Sequence, residues 1–449
     1  MKRSSSGRKS SSRVRPTRPA EEVAGGVRWL TPVITAGALL IPLAMSISGE
    51  DAFRFPKELA LRTEVILIIL VLTVAWGLGR PVLPKLNLRA KWLQLTVLIC
   101  AWTIVCLTVS TNYLVSVPST IRVLEYALLF VVTVLVLHSR PSWFAGMIVP
   151  PAILNGIIYI LQELEIWSPF DTSTAIEKHI GRTALIGNPN DVGGYFIVPA
   201  LVATALALSG RRFRLAWAGA AAFIFLATYM THTVAAIGAL AVALFVMFAV
   251  WLRSWPKILI SCLVVVVIAA IPFATYKPLR ARAWLMRNAI RQGDFETFSA
   301  GRTLPFLTAI EMIRDRPIMG VGPGAFAYNF FDYKLRIQSR DRKLFEHTAE
   351  VNYGEVHNDH LQVTAEIGLP GYAMFLAALA LLASATWRRR SAPAEESGDQ
   401  NREEFVRLLA LPLVVSMVIL ALAQFPLELV APTHVYLWAA AAIVAWRTA

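Results

Sequence analysis

The stretch TVAAIGALAVALFVMFAVWL, residues 233–252, contains no charged side chain in 20 positions. A helix of about 20 apolar residues crosses the hydrocarbon core of a bilayer, which is about 30 Å thick. Other apolar runs of bilayer length contain few or no charged side chains; they are 29–48, 63–79, 92–110, 119–137, 142–162, 191–209, 213–230, 256–275, 360–386, 406–424 and 430–446. The sequence therefore predicts an all-α polytopic membrane protein with about twelve transmembrane helices.

The overall composition agrees with a chain that packs its helices in lipid. Of the 449 residues, 56% are hydrophobic and 16% are charged, and the mean hydropathy is +0.57. A soluble domain carries about a quarter charged residues. The three cysteines, Cys100, Cys106 and Cys262, all lie in apolar runs. Their spacing predicts neither a disulfide framework nor a metal site, so we interpret them as small buried hydrophobic residues.

The net charge of +14 leaves two kinds of partner open. A basic chain can bind nucleic acid, but positive charge in a membrane protein serves contact with anionic lipid headgroups and control of topology. We therefore expect the lipid bilayer as a partner and no nucleic acid. Residues 1–28 are basic, rich in Ser and without periodicity. They predict a disordered cytoplasmic tail rather than a cleaved signal peptide.

The distribution of Lys and Arg predicts the orientation in the membrane. With the N-terminus inside, 24 of the 43 Lys and Arg residues fall on the inner side and 6 in short outer loops. The other 13 lie in residues 276–359, a loop of 84 residues that is too long for this comparison. Both termini are then cytoplasmic, and this loop is periplasmic and carries short helices. The predicted regions are the tail at 1–28, spans one to nine at 29–275, the loop at 276–359, and spans ten to twelve at 360–449.

A polar stretch, HNDHLQVTAEIGLPG at residues 357–371, stands where the loop meets the next apolar run. Polar groups in hydrocarbon are costly unless they face a partner or water, so the stretch predicts a wet site at the outer membrane boundary. Asp359 and Gln362, three residues apart, indicate a helix start. The positive end of that helix favours a bound anion and a neutral His357, which could accept a proton as a general base.

Two other interpretations of His357 stay open. It can be a polar residue of the membrane interface without any chemistry. It can also be a metal ligand together with His360 and either Asp359 or Glu355, although a complete site usually needs three or four well-placed ligands. We therefore expect no metal ion and no other cofactor.

The same stretch resembles the signature of the O-antigen ligase family, in which His357 and Asn358 are followed, after nine and then two intervening residues, by Gly368 and Gly371. Further segments are similar to the family in the same order: FRFPK at 53–57, GNPNDVGGY at 187–195 and SAGRTLPFLTAIEMIRDRPIMGVGPGAF at 299–326. The resemblance covers roughly residues 30–446. The family often has a larger aliphatic residue or Trp near the fifth position after the loop Arg, where Pro305 and Phe306 stand here.

The resemblance implies a glycosyltransferase of the bacterial inner membrane, independent of metal, with its active site facing the periplasm. The donor would be an undecaprenyl-diphosphate-type lipid-linked glycan, and the acceptor would be lipid A-core, a glycan or a protein. His357 would be the base, while Arg302 and Arg182 would hold the diphosphate, because Arg forks suit phosphate oxygens. Supporting roles are implied for Asn188, Asn190, Asn358, Glu366, Gly368 and Gly371.

Several of these supporting residues have structural interpretations as well. Asn188 and Asn190 predict helix capping and a turn as readily as sugar or diphosphate binding. Gly368 and Gly371 predict a close approach between helices. Glu366, inside the tenth predicted span, is expected to pair with an Arg or to hold polar contacts, because an unpaired carboxylate in lipid is disfavoured.

The resemblance does not decide which activity of the family the protein has, and a transporter stays open as an alternative to a glycosyltransferase. We expect ligation to lipid A-core first, with polymerisation of O-antigen or exopolysaccharide repeat units, or protein O-oligosaccharyl transfer, as close alternatives. A transporter of the lipid-linked glycan belongs to a different class and would favour broken helices at mid-membrane in two related halves. The sequence shows no internal repeat, and its polar motifs gather at one predicted face of the membrane.

Overall fold

The computed structural model describes residues 19–46, 51–79, 87–169, 182–210, 213–252, 254, 256, 259, 274, 277–299, 301–340, 351–387 and 397–447. Within these ranges the regular structure is helical throughout, with no strand. The α-helices are α1 Pro19–Leu40, α2 Arg54–Gly77, α3 Lys91–Thr108, α4 Tyr113–His138, α5 Val149–Glu163, α6 Pro189–Ser209, α7 Arg214–Met230, α8 Val234–Leu252, α9 Lys277–Gln292, α10 Phe295–Phe298, α11 Thr303–Asp315, α12 Phe326–Gln338, α13 Asp359–Ser384, α14 Ser397–Ala421 and α15 Val430–Arg447. Short 3-10 helices cover Ile41–Leu43, Ser142–Ile148 and Pro426–Glu428.

The helices confirm the predicted class of all-α membrane protein. In the described part of the chain, 8 helices are long and apolar enough to cross a bilayer. Two shorter apolar helices, Trp29–Leu43 and Arg214–Met230, fall on predicted spans, and α15 covers the last one. The ninth predicted span, 256–275, lies outside the described residues except for the single positions 256, 259 and 274. The total of twelve spans and their orientation therefore stay predictions.

The first helix begins earlier than the sequence predicts. It starts at Pro19, so residues 19–28, which we assigned to a disordered tail, are helical. Residues 1–18, the rest of the predicted tail, lie outside the described part of the chain.

The centre of the bundle is α6. Its side chains are buried almost without interruption from Asp191 to Ala207, and it packs against α7, α8, α14 and α15. Small residues make this possible, since a Cβ atom on Gly193 would stand 3.0 Å from the Cβ of Ala236 on α8. Small residues at these positions let helix backbones approach each other closely in lipid.

A second, smaller hydrophobic core lies beneath the predicted periplasmic loop. Leu304 and Met312 of α11 and Phe326 and Phe330 of α12 form it together with Ala365 of α13. The short helices predicted for this loop are therefore present, and they pack on α13. The side of the membrane on which they lie stays a prediction.

The helix α13 is broken in its interior at Gly368, which has φ 73° and ψ 177°. A Cβ at this position would lie 1.9 Å from the carbonyl oxygen of Ile318. The N–H of Leu369 donates to the carbonyl of Pro317 at 2.8 Å. The break thus comes two residues before Pro370 and is fixed by the loop that leads into α12.

That loop replaces the helix's own hydrogen bonds at the break. The N–H groups of Val321 and Gly322 donate to the carbonyls of Ala365 and Glu366 at 2.9 and 3.0 Å, and the Trp102 indole donates to the carbonyl of Ile367 at 2.9 Å. Backbone groups without a helical partner are tolerated at membrane depth only when protein or water satisfies them. These bonds attach the GVGPG turn to α13.

Candidate active site

His357 stands directly before α13. His357 has φ 58°, in the left-handed region, and its ring packs edge-on against Phe425, with centroids 4.7 Å apart. Tyr353 makes a second edge contact at 6.1 Å. Among the described residues, its Nδ1 is buried and has no hydrogen-bond partner. A left-handed backbone at a non-glycine residue stores strain of about 1–3 kcal/mol, and such strain clusters at functional sites.

The surroundings keep the His357 imidazole neutral. Burial is the main cause that lowers the pKa of His357 to about 4, and the charges of Arg302 and Arg54 lower it further, against the opposing charge of Glu355. We predicted a neutral imidazole from the field of the following helix. The shift found here comes from desolvation and from two guanidinium groups instead.

Arg302 is near enough to His357 for its charge to act on the imidazole. It is the N-cap residue of α11, and its backbone N–H donates to Ser299 Oγ at 3.0 Å. Its guanidinium donates to the carbonyl of Ala423, two residues before the Phe425 ring that contacts His357. Two predicted site residues, far apart in sequence, are thus brought together.

Arg54 is the cation that sequence reasoning missed as a site residue. Its guanidinium lies 5.5 Å from the Phe425 ring centroid and 2.5 Å from Glu355 Oε1. One turn along α2, buried Lys57 donates to the carbonyl of Leu185 and to that of Ala44, which anchors the start of α2. The signal was present in the segment FRFPK, since an Arg and a Lys at the start of an apolar span need partners.

We call Arg54, Arg302, Tyr353, His357 and Phe425 the His357 cluster. Arg182 has other contacts: its guanidinium pairs with Glu163 at 3.3 Å and Glu165 at 3.8 Å. Glu163 also lies 3.6 Å from His232 Nε2. A diphosphate role for Arg182 would compete with these carboxylates, and it stays a prediction.

The three asparagines have structural roles. Asn188 caps α6, accepting from the N–H groups of Asn190 and Asp191 at 2.8 and 3.1 Å. Asn190 Oδ1 accepts from the Thr233 hydroxyl at 3.3 Å. Asn358 caps α13 by accepting from the N–H of Leu361 at 3.1 Å. These contacts agree with the capping interpretation and leave ligand binding untested.

The start of α13 corrects one sequence prediction. The cap is Asn358 rather than Asp359, whose buried carboxylate instead accepts from the N–H of Leu427 at 3.0 Å. Gln362 does not close a capping box, because its Oε1 accepts from the N–H of Val356 at 3.0 Å. Both side chains therefore tie the residues around His357 to neighbouring segments.

Glu366 holds polar contacts, as we expected. Its Oε2 accepts from the N–H of Gly324 at 2.7 Å, and its Oε1 accepts from Gln362 at 3.3 Å. The same Gln362 amide donates to Glu428 at 3.1 Å, and Arg122 pairs with Glu428 at 3.4 Å. This network links α4, α13 and the segment that carries Phe425.

A cavity of about 370 Å³ opens beside this network. It lies between α3, α4, α13 and α15, and most of its wall is apolar, including Leu95 and Phe375. Three charged side chains, Arg122, Glu366 and Glu428, also line it, and Glu428 follows Phe425 of the His357 cluster by three residues. An apolar cavity with convergent polar groups is the usual form of a ligand site.

The neighbouring His360 is held by α14 and by a residue of its own helix. Its Nε2 lies 3.1 Å from the carbonyl of Val418, and its Nδ1 lies 3.2 Å from the Tyr372 hydroxyl. In the described ranges, no group of three or more His, Cys, Asp or Glu side chains could hold a metal ion. The residues of the alternative metal site are thus not brought together.

A comparison with protein families confirms the resemblance. Residues 219–376 match the family model described as O-antigen ligase, a range that includes Arg302, His357, Gly368 and Gly371. A comparison with curated proteins gives no match.

Proposed function

We propose that this membrane protein, which resembles the O-antigen ligase family over residues 219–376, transfers a glycan from a polyprenyl diphosphate to an acceptor hydroxyl. The observation that carries the proposal is the His357 cluster, where a half-buried imidazole packs on Phe425, the Arg54 guanidinium lies over the same ring, and the charges of Arg302 and Arg54 act on the imidazole. Such a site suits a reaction that needs a base and that releases an anion.

The reaction begins with the acceptor hydroxyl at His357. Its oxygen forms a bond to the anomeric carbon of the donor, and the bond from that carbon to the phosphate oxygen breaks. The electron pair of the broken bond leaves with the diphosphate, and the hydroxyl proton passes to the imidazole. Arg302 and Arg54 stabilise the charge that grows on the diphosphate, because bidentate guanidinium groups match phosphate oxygens.

The low pKa of His357 is consistent with this role. In the absence of donor, burial is the largest cause that lowers the pKa of His357, and the charges of Arg302 and Arg54 lower this pKa further. A bound diphosphate would offset both cations, so the pKa of His357 would rise toward its ordinary range in the complex. The base therefore becomes stronger when the donor is in place.

The cavity of about 370 Å³ fits part of the donor's polyprenyl chain. Its apolar wall gives a chain of isoprene units an environment like the bilayer interior. Glu428 in its wall follows Phe425 by three residues, so a chain seated there would direct its diphosphate toward Arg54 and Arg302. The active site would then face the periplasm, as the Lys and Arg distribution predicts.

One observation favours a second candidate, a transporter of the lipid-linked glycan, since α13 is broken within an apolar span. The carbonyls freed at the break, however, already accept hydrogen bonds from Val321, Gly322 and Trp102. They are therefore not left to coordinate a passing ion or substrate. Glycan transfer explains the His357 cluster, which a transporter does not need. Lipid A-core is the first acceptor, and a growing glycan or a protein are the alternatives.

The test uses purified protein in nanodiscs with a labelled undecaprenyl-diphosphate-linked glycan and lipid A-core, both from cells that carry this protein. Transfer of label to the acceptor supports the proposal. In proteoliposomes, movement of the intact donor between leaflets without bond cleavage would instead establish the transporter.

A further inference from the structure

Asp191, in the first turn of α6, has a carboxylate oxygen without a partner. The residue is 6% exposed, and within the described part of the chain its Oδ1 is buried and accepts no hydrogen bond. Its Oδ2 lies against the backbone of Gly187, where an added Cβ would stand 3.2 Å away. An unsatisfied buried acceptor is unfavourable, so a ligand that donates to it would gain binding energy.

The charged neighbours of Asp191 leave that oxygen open. Asn188 makes a side-chain hydrogen bond with the carboxylate, and Arg54, Glu355 and Lys57 act on it electrostatically, but Oδ1 has no hydrogen-bond partner and Arg54 is paired with Glu355. The Lys57 ammonium donates to the carbonyls of Ala44, Phe53 and Leu185. Asp191 therefore shares Arg54 and Glu355 with His357 as electrostatic neighbours, and Arg54 belongs to the His357 cluster.

Asp191 does not line the cavity of about 370 Å³, although its helix α6 contacts a segment that does. The 3-10 helix Pro426–Glu428 contacts α6, whereas its Glu428 lines the cavity between α3, α4, α13 and α15. Asp191 is absent from that lining. If the cavity holds the donor chain, Asp191 is left for the acceptor.

We propose that Asp191 accepts a hydrogen bond from a second hydroxyl of the acceptor and so selects a sugar over a Ser or Thr side chain. The inference rests on the proposed function. The attacking hydroxyl gives its proton to His357, so Asp191 needs another donor on the same molecule. A sugar carries several hydroxyls at fixed spacing, while Ser and Thr carry one.

The first test is Asp191→Asn, which keeps the shape but replaces one acceptor oxygen by an NH₂ donor. With lipid A-core as acceptor, its KM should rise about ten- to hundredfold, as expected for loss of a hydrogen bond to a charged group. The donor KM should stay unchanged. The matched control is Asp332→Asn on the exposed face of α12, which should leave both constants unchanged. An unchanged acceptor KM, or a raised donor KM alone, overturns the inference.

A second measurement uses the wild-type protein, so it holds even if Asp191→Asn fails to fold. The same donor is offered with lipid A-core or with a Ser-containing peptide. Transfer to lipid A-core without transfer to the peptide supports the inference. Transfer to the peptide at a comparable rate overturns it. If neither acceptor is glycosylated, the proposed function itself has failed, which separates the two outcomes.

Discussion

The backbones of Gly368 and Ile318 approach so closely that a Cβ on Gly368 would stand 1.9 Å from the Ile318 carbonyl oxygen. The contact joins the break in α13 to the segment between α11 and α12. Since α11 begins next to Arg302 and α13 begins next to His357, this approach helps to fix the two site residues relative to each other.

The first prediction is that Gly368→Ala destabilises the protein. Overpacking costs about 1–3 kcal/mol and a disfavoured backbone region about 1–3 kcal/mol for a residue with a Cβ, so the loss should be on the order of 2–6 kcal/mol. Thermal unfolding in detergent measures it. The control is Gly238→Ala in α8, where nothing lies within 4 Å of an added Cβ and stability should be kept. Equal melting temperatures for the two variants would contradict the role of the break.

The second prediction concerns the guanidinium of Arg302. Arg302→Lys keeps the charge but removes the bidentate fork, so transfer should fall by about tenfold or more, and Arg302→Ala should lose more. Transfer by purified protein is the measurement. Arg314, whose side chain is 70% exposed and paired with Glu311, provides the control Arg314→Ala. Near-normal transfer by well-folded Arg302→Ala would mean that this guanidinium does not meet the diphosphate.

The third prediction compares Arg54 and Arg182 as ligands of the diphosphate. The resemblance favours Arg182, whereas the contacts in the structure favour Arg54. Arg54→Ala should raise the donor KM by about tenfold or more, because it removes a cation beside His357. Arg182→Ala should have the smaller effect, because Arg182 is paired with two glutamates whereas Arg54 is paired with one. Donor titrations of both variants decide between them. A larger effect at Arg182 would restore the role implied by the resemblance and show that its ion pairs open when donor binds.

Local sequence features predict the membrane helices well, because the cost of burying charge in lipid acts on each apolar run separately. Eleven of the twelve predicted spans coincide with helices of the described residues. Pro370 predicts a bend in this helix, but the break at Gly368 could not be predicted, because it depends on a backbone approach by Ile318, 50 positions earlier.

The candidate site could be predicted only in part for a similar reason. The nearness of Arg302 and His357 was expected from the family resemblance. The position of Arg54 near His357 was not expected, because its partner Glu355 is 301 residues away in sequence and no local pattern encodes that pair. The cap at Asn358 was misassigned to Asp359 because both residue types cap helices, and only the tertiary bond to Leu427 separates them.

The fourth prediction concerns pH. The imidazole of His357 must be neutral to accept a proton, and burial together with Arg302 and Arg54 lowers its pKa from 6.5 to about 4. The acid limb of kcat/KM, which reports the free enzyme, should therefore lie near pH 4, with a plateau above it. The limb of kcat should lie higher, because bound diphosphate offsets the two cations. A kcat/KM limb at 6.5 would show that His357 is not desolvated, or is not the base.

The last prediction tests His357 directly. A positioned base contributes about a hundredfold to ten-thousandfold to a rate, so His357→Ala should lower kcat within that range. Donor binding should be largely kept, because the diphosphate is held by arginines. The Phe425 contact would be lost too, so His357→Gln, which fills more of the space but cannot take the proton at neutral pH, should be equally slow.

His360→Gln is the matched control, because His360 stands three residues away and contacts Val418 and Tyr372 instead. Its amide can replace one of those hydrogen bonds, so kcat should stay within a few-fold of wild type. Single-turnover transfer at saturating donor separates chemistry from binding for all three variants. Equal and mild losses at both histidines would mean that His357 is a residue of the membrane interface. The strained backbone and the unpartnered Nδ1 of His357 would then have no catalytic explanation.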